Sequence, residues 1–185
     1  TPHAYLMIAV SPAGQKYAID ELWMNGTTDE LATAIRIKES DHWIVRRWID
    51  PMALIEDQLT KSTLIDDLRK PPHGLFFLPA TKDRARGILR VKKAFKYERA
   101  EGGTMRIAPE LKIFKNCKRL RWELQRYQWD DYQRSADRNP KQVPRDKDDH
   151  FCEDLYRIML QEPRYYDRDE YATSDAEDDK WQWAS

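Results

Sequence analysis

The sequence predicts an α/β fold, in which a mixed sheet begins with an antiparallel hairpin, continues with parallel strands and is flanked by helices. Two observations carry this prediction. An apolar run over 4–10 is separated by the turn residues 11–14 from an alternating run over 16–23. Beyond this hairpin, short apolar or β-branched runs alternate with amphipathic segments, which is typical of helical crossovers between parallel strands.

The first helix and the next strand follow the hairpin directly. Thr27 and Glu30 have the spacing of a capping box, which predicts a helix over about 28–38. The run from Trp43 to Ile49 is rich in β-branched and aromatic residues and predicts a strand. Pro51 stops that strand and suits the first turn of a helix that continues to about Arg69.

The remainder of the chain continues the alternation. The predicted elements are a buried strand at 74–79, a basic helix at 81–97, short strands at 105–107 and 111–114, and helices at about 115–127 and 148–160. The polar stretch over 130–147 predicts a loop, and the acidic stretch over 166–185 predicts a poorly ordered tail because it has little apolar surface to bury.

Composition limits the class of protein. The 185 residues suit one domain, and 32 basic residues balance 32 acidic ones. No apolar run approaches the roughly 20 residues that span a bilayer, and no secretory signal pattern is present. Cys117 and Cys152 fall on predicted helices, so buried thiols and a cytoplasmic setting are expected.

Charge is distributed unevenly along the chain. Basic residues dominate from 82 to 126, whereas 167–179 is acidic. A polyanion responds to the local patch, so a neutral total is compatible with nucleic-acid binding. A solvated surface with an acidic tail is the alternative. The candidate DNA-binding residues are Lys82, Arg84, Arg86, Arg90, Lys92, Lys93, Lys118 and Arg121.

Aromatic residues interleave with arginines at the end of the basic region. Stacking on nucleotides is one interpretation, and core packing with cation–π contacts is the other. The residues concerned are Trp122, Tyr127, Trp129 and Tyr132.

A first candidate carboxylate is Asp50, which directly follows a predicted strand. In open α/β folds, ligands bind beyond the carboxyl ends of the strands, so Asp50 is placed where a site would lie. Asp-Pro is also a common turn sequence, and a helix cap or turn is the alternative role.

A second group of candidate ligands opens the last predicted helix. Asp149 and Glu153 are four residues apart and share a helical face, with His150 and Asp148 beside them. Like charges at this spacing disfavour a helix unless a cation lies near them. Compensation of the helix dipole is the alternative. An oxygen-rich set suits Mg²⁺ or Mn²⁺ rather than zinc, and phosphodiester hydrolysis commonly uses two such ions.

Four segments together resemble the nuclease domain of the large terminase subunit of tailed phages. These are WIDP at 48–51, LFFLPATKDRARGILRVK at 75–92, LKIFKNCKRLRWELQRYQWDD at 111–131 and KDDHFCEDLYRIML at 147–160. The resemblance implies a ribonuclease H-like nuclease domain over 1–165 that cuts concatemeric DNA during genome packaging. It implies that Asp50 and Asp149 are catalytic metal ligands, aided by His150 and by Glu153 or Asp148.

The resemblance also implies partners and a location. They are double-stranded DNA, an ATPase motor domain, the small terminase subunit and the portal ring, in the cytoplasm of an infected bacterium. In that family the first catalytic aspartate lies on a central strand just before the opening hairpin, a strand that would precede Thr1. The domain is therefore expected to be N-terminally incomplete, without one catalytic carboxylate.

Two other functions remain open at this point. One is a catalytically inactive ribonuclease H-like module that binds DNA or a partner, which the lost strand favours. The other is a different nuclease of the same fold group, such as a resolvase or transposase catalytic domain. No G-x-x-x-x-G-K-[ST] phosphate-binding loop occurs in the sequence, so the chain itself carries no ATPase motif.

Overall fold

A computed structural model describes residues 2–58, 60–127, 149–169 and 171. The strands are β1 (His3–Val10), β2 (Lys16–Met24), β3 (Trp48–Ile49), β4 (Leu78–Pro79), β5 (Glu98–Arg99), β6 (Met105–Ile107) and β7 (Leu111–Ile113). The helices are α1 (Thr28–Glu39), α2 (Leu64–Arg69), α3 (Arg84–Ala94), α4 (Lys118–Arg126) and α5 (His150–Leu160), with a 3₁₀ turn at Pro51–Leu54.

The pairing of the strands confirms a mixed α/β fold. β1 and β2 form the predicted antiparallel hairpin, and β7 adds to β2 in parallel. β3 and β4 also pair in parallel. The described strands form three small sheets rather than one continuous sheet, in the orders β1-β2-β7, β3-β4 and β5-β6. The predicted combination of an antiparallel hairpin with parallel strands is therefore confirmed, whereas the described strands do not join into one continuous sheet.

Local sequence signals fixed the start of α1. The Thr27 hydroxyl accepts from the N–H of Glu30, and the Glu30 carboxylate accepts from the N–H of Thr27, as the capping-box spacing predicted. Leu31 and Ile35, one turn apart, are buried in an apolar cluster that also contains Leu68 and Phe77. The helix and its packing face were thus predictable from the sequence.

The predicted long helix from Pro51 to Arg69 is wrong. A 3₁₀ turn ends at Leu54, and α2 begins only at Leu64. Between them, the Asp57 carboxylate accepts from the N–H of Thr60, and Lys61 has a positive φ of 54°. Aspartate and threonine side chains that bond nearby backbone groups compete with helical hydrogen bonds, which explains the break.

Two predicted strands differ in extent from those of the structure, and one strand was not predicted. The strands predicted at 43–49 and 74–79 shorten to the two-residue β3 and β4. β5, which was not predicted, pairs with β6 next to the Gly102–Gly103 turn. The predicted loop over 130–147 and most of the predicted tail lie outside the described residues, as do Trp129 and Tyr132.

The main core lies between the hairpin and α3, α4 and α5. Phe151 and Leu155 of α5 are fully buried in it. α3 crosses α5 at Gly87, where an added Cβ would lie 2.6 Å from Cδ2 of Tyr156. Only glycine permits this close approach, which seats α5 against α3. Cys117 and Cys152 are free and buried, as predicted.

No helix in the described ranges combines the length and apolar character needed to cross a bilayer.

Candidate functional site

A groove of about 570 Å³ lies along the free edges of two strands. All eight residues of His3–Val10 line it, as do the consecutive residues Trp48, Ile49 and Asp50. Successive side chains of a strand point to opposite faces, so a groove over one face would be lined by every second residue. Lining by consecutive residues places the groove at the strand edges. Within the described chain, β1 pairs only with β2 and β3 only with β4, which leaves these edges open.

The groove combines apolar walls with an acidic cluster. Leu31, Ile35, Leu68 and Phe77 contribute buried apolar side chains to its lining. The acidic side chains that line it are Asp50, Glu153, Asp154 and Glu162, and Glu162 is paired with Arg90. The other three form the acidic cluster. These carboxylates come from two segments about a hundred residues apart in sequence, the end of β3 and helix α5.

Asp50 lies at the end of β3, as predicted, and begins the 3₁₀ turn. Its Oδ1 accepts from the N–H of Met52 at 2.9 Å, so the turn role proposed as an alternative is real. The same oxygen lies 3.4 Å from Nζ of Lys82, whose side chain is half exposed. Its second oxygen, Oδ2, lies 2.7 Å from Nη2 of Arg157. The residue is thus both a cap and a member of the acidic cluster.

Arg157 joins the two segments of the cluster. The same Nη2 that contacts Asp50 donates to Glu153 Oε2 at 2.8 Å, one helical turn earlier on α5. Its side chain is 8% exposed, and its Nε is buried without a hydrogen-bond partner among the described residues. A single guanidinium nitrogen therefore holds Asp50 and Glu153 together.

Asp154 is the member of the cluster that sequence reasoning missed. The residue is half-buried overall, but its Oδ2 is shut off from solvent and has no partner in the described chain. Burial raises the pKa of its carboxyl to about 8. Arg157 opposes the shift, and the carboxylates of Glu153, Glu123 and Asp50 add to it. Asp154 directly follows Glu153 in the motif, and only the fold shows that both residues line the groove.

Asp149 lies against a different partner. Its Oδ2 accepts from Nη2 of Arg84 on α3 at 2.8 Å, and its side chain is 11% exposed. Asp149 is the N-terminal boundary residue of α5, and its backbone oxygen accepts from the N–H of Glu153 at 2.7 Å. The shared helical face predicted for Asp149 and Glu153 thus serves two separate ion pairs, with Arg84 and with Arg157. Asp148 lies outside the described residues.

A buried glutamate fixes the start of α5. The carboxylate of Glu123, fully buried on α4, accepts from the N–H groups of Phe151 and Cys152 at 2.8 and 3.2 Å. Burial raises its pKa, and these bonds and Arg119 oppose the shift. A carboxylate at a helix N-terminus satisfies free N–H groups and complements the helix dipole. Glu123 therefore positions His150, whose ring packs against Trp23 with centroids 5.2 Å apart and planes inclined by 53°.

The cluster suits a hard cation by its chemistry. Carboxylate oxygens are the ligands that Mg²⁺ and Mn²⁺ prefer, and Asp154 offers a buried oxygen without a partner. The described residues nevertheless contain no group of three His, Cys, Asp or Glu arranged to hold a metal ion. Two of the three carboxylates are bridged by Arg157 instead.

The predicted DNA-binding residues divide into two sets. Arg84 is paired with Asp149, and Arg90 is paired with Glu162. The others are exposed on α3, on α4 or just before α3: Lys82, Arg86, Lys92, Lys93, Lys118 and Arg121. Lys82 also connects this basic surface to the acidic cluster, because its Nζ approaches Asp50.

Arginines lie against two tryptophans of the described chain. The guanidinium of Arg119 lies 3.6 Å from the ring centroid of Trp23, and that of Arg126 lies 4.5 Å from the centroid of Trp122. The contact at Trp122 agrees with the packing and cation–π interpretation for that residue.

Comparison with known proteins supports the fold. The chain is similar in structure to the g2p large terminase nuclease domain of bacteriophage SPP1, in a crystal structure with bound Mn. The TM-score is 0.53 with 18% sequence identity, over 86% of this chain and 79% of that one. No protein-family model and no curated protein matches the sequence. The terminase nuclease-like fold predicted from the four segments is thus confirmed.

Proposed function

We propose that the chain is a divalent-metal-dependent DNA endonuclease domain of a phage large terminase subunit. The observation that carries the proposal is the convergence of Asp50, Glu153 and Asp154 on one groove, in a fold similar to a terminase nuclease domain. By the resemblance, the domain cuts concatemeric DNA during packaging, together with a motor domain, a small subunit and a portal, in the host cytoplasm. The Mn in the SPP1 structure supports the use of a divalent ion.

In this proposal each part of the groove has a role. Asp50, Glu153 and Asp154 would hold the cation, and His150 lines the same groove. When bound, such an ion activates water and stabilises the leaving oxygen of a phosphodiester. Lys82, beside the cluster, and Arg86 on α3 bind backbone phosphates without reading bases. Asp149 supports the site indirectly, through its pair with Arg84.

The open edge of β1 supports a position for the first strand that the resemblance implies. An unpaired edge presents N–H and C=O groups that accept another strand. A strand upstream of Thr1 would pair along β1, and Pro2 already lines the groove. Such a strand would fill the apolar groove and bring its carboxylate towards Asp50. In this proposal the strand supplies the carboxylate that the resemblance assigns to it.

A plasmid-nicking assay with Mn²⁺ tests the proposal. We expect a version extended upstream to cut, and the chain as given to cut at least about a hundredfold more slowly, because the resemblance assigns one catalytic carboxylate to a strand upstream of Thr1. In the extended version, Asp50→Asn removes an acid of the cluster and should abolish cutting. Glu98→Gln, an exposed acid on β5, is the matched control and should cut normally.

The same assay separates the alternatives. Cutting of a plasmid without preference for branched substrates supports the terminase function, whereas a strong preference for four-way junctions supports the resolvase type. If the extended version binds DNA in a gel-shift assay and never cuts, the nuclease proposal is wrong and the domain is a binding module.

A further inference from the structure

The position between Asp50 and Glu153 is taken by a side chain of the chain itself. Nη2 of Arg157 lies 2.7 Å from Asp50 Oδ2 and 2.8 Å from Glu153 Oε2. A guanidinium keeps its charge at every pH at which proteins are studied. Two carboxylates that would otherwise repel each other are therefore neutralised by a fixed positive charge in a largely buried place.

We propose that the charged side chain of Arg157 occupies the position of a divalent ion, and that an ion binding both Asp50 and Glu153 displaces it. This inference rests on the proposed function. Arg157 is in this sense a positioning residue. It keeps the acids of two distant segments together until a metal ion arrives.

The way Arg157 is held makes displacement feasible. Both ion pairs run from the same nitrogen, and Nε has no partner in the described chain. Rotation of one flexible side chain therefore releases both carboxylates and breaks no bond at Nε. A divalent ion and a guanidinium on the same oxygens repel each other strongly in a site of low polarity, so simultaneous binding is disfavoured.

Arg47 provides a matched control within the same groove. Its Nε and Nη2 donate to the two oxygens of Glu39 at 2.7 and 2.6 Å, so both ends of this pair are engaged. Glu39 also accepts from the Tyr5 hydroxyl at 2.6 Å. Removing Arg47 disturbs a buried ion pair without touching the acidic cluster.

Calorimetric titration with MnCl₂ tests the proposal on variants of the extended version. Arg157→Met keeps much of the side-chain volume and removes the charge, so Mn²⁺ should bind roughly tenfold tighter or more. Arg157→Lys retains the charge and should bind much as the unmodified protein does. Arg47→Met should change the affinity less than about twofold.

A second measurement does not depend on a variant that folds. In the unmodified protein, nuclear magnetic resonance of the arginine side chains should show the Arg157 guanidinium losing its restricted rotation as MgCl₂ is added. The Arg47 signals should stay unchanged over the same titration. This pattern supports displacement even if Arg157→Met does not fold.

The outcomes distinguish the inference from the function on which it rests. If Mn²⁺ binds the unmodified protein and Arg157→Met with equal affinity, or if Arg157 stays restricted in saturating Mg²⁺, displacement is wrong and the metal-dependent function stands. If no version binds Mn²⁺, both are wrong.

Discussion

Two arginines that line the same groove are paired with acids in different ways. Arg47 meets both oxygens of Glu39, which Tyr5 also contacts, so each partner in this cluster is engaged. Arg157 contacts both Asp50 and Glu153 through the same nitrogen, Nη2. Its Nε and the Oδ2 of Asp154 have no hydrogen-bond partners among the described residues. One cluster is complete and the other is not.

The difference supports the proposal that one cluster serves stability and the other serves the site. Buried polar groups are normally satisfied, because an unsatisfied one costs about 1–3 kcal/mol. A cluster that leaves two such atoms unpartnered has a reason other than stability. The Arg157 cluster also lies beside the exposed basic residue Lys82, whereas Arg47 connects α1 to the segment before β3.

The largest expected effect comes from a substitution that disrupts the complete cluster of Arg47, Glu39 and Tyr5. Arg47→Met leaves the buried Glu39 without its cation, so the free energy of unfolding should fall by about 3–5 kcal/mol. Urea denaturation measures it, and saturating Mn²⁺ should not restore the loss. A fall of less than about 1 kcal/mol would show that this pair is no more structural than a surface one.

A smaller effect concerns pH and the incomplete cluster. The pKa of Asp154 is raised to about 8 in the folded chain, so the folded state holds a proton that the unfolded state releases near pH 4. Stability in EDTA should therefore fall as pH rises from about 4 to about 8, by on the order of a few kcal/mol.

Asp154→Asn provides the control for this pH dependence. The variant should be more stable than the unmodified chain at pH 8 and should lose most of the slope between pH 4 and 8. Denaturation curves with equal slopes for the two proteins would remove Asp154 as its origin.

The smallest expected effect comes from a substitution that removes a single oxygen atom from the complete cluster. Tyr5→Phe removes the hydroxyl that donates to Glu39 and should reduce the free energy of unfolding by about 1–3 kcal/mol. In the double variant with Arg47→Met, the two losses should not add, because both residues bind the same carboxylate. Strict additivity would mean that the cluster does not act as one unit.

Sequence patterns predicted what is local in this fold. The spacing of Thr27 and Glu30 predicted the start of α1, and the alternation after 16 predicted β2, because hydrogen bonds and burial there follow from neighbouring residues. The long helix after Pro51 failed because Asp57 and Lys61 bend the chain through contacts that no apolar periodicity displays.

The site was predictable only in part. Asp50, His150 and Glu153 do line one groove, but Asp149 turns to Arg84, a partner 65 residues away in sequence. Glu123 has the spacing of an exposed helical ion pair with Arg119, and only the packing of α4 on α5 makes it a cap. Such roles arise from tertiary contacts, which the order of residues does not show.

The most direct test asks which acid of the last motif holds the ion. Calorimetric titration of the extended version with MnCl₂ should show that Asp154→Asn weakens binding at least tenfold, whereas Asp149→Asn changes it less than about twofold. Both variants must first be shown to be folded. Loss of binding in Asp149→Asn, with normal binding in Asp154→Asn, would contradict the assignment of the site to the groove.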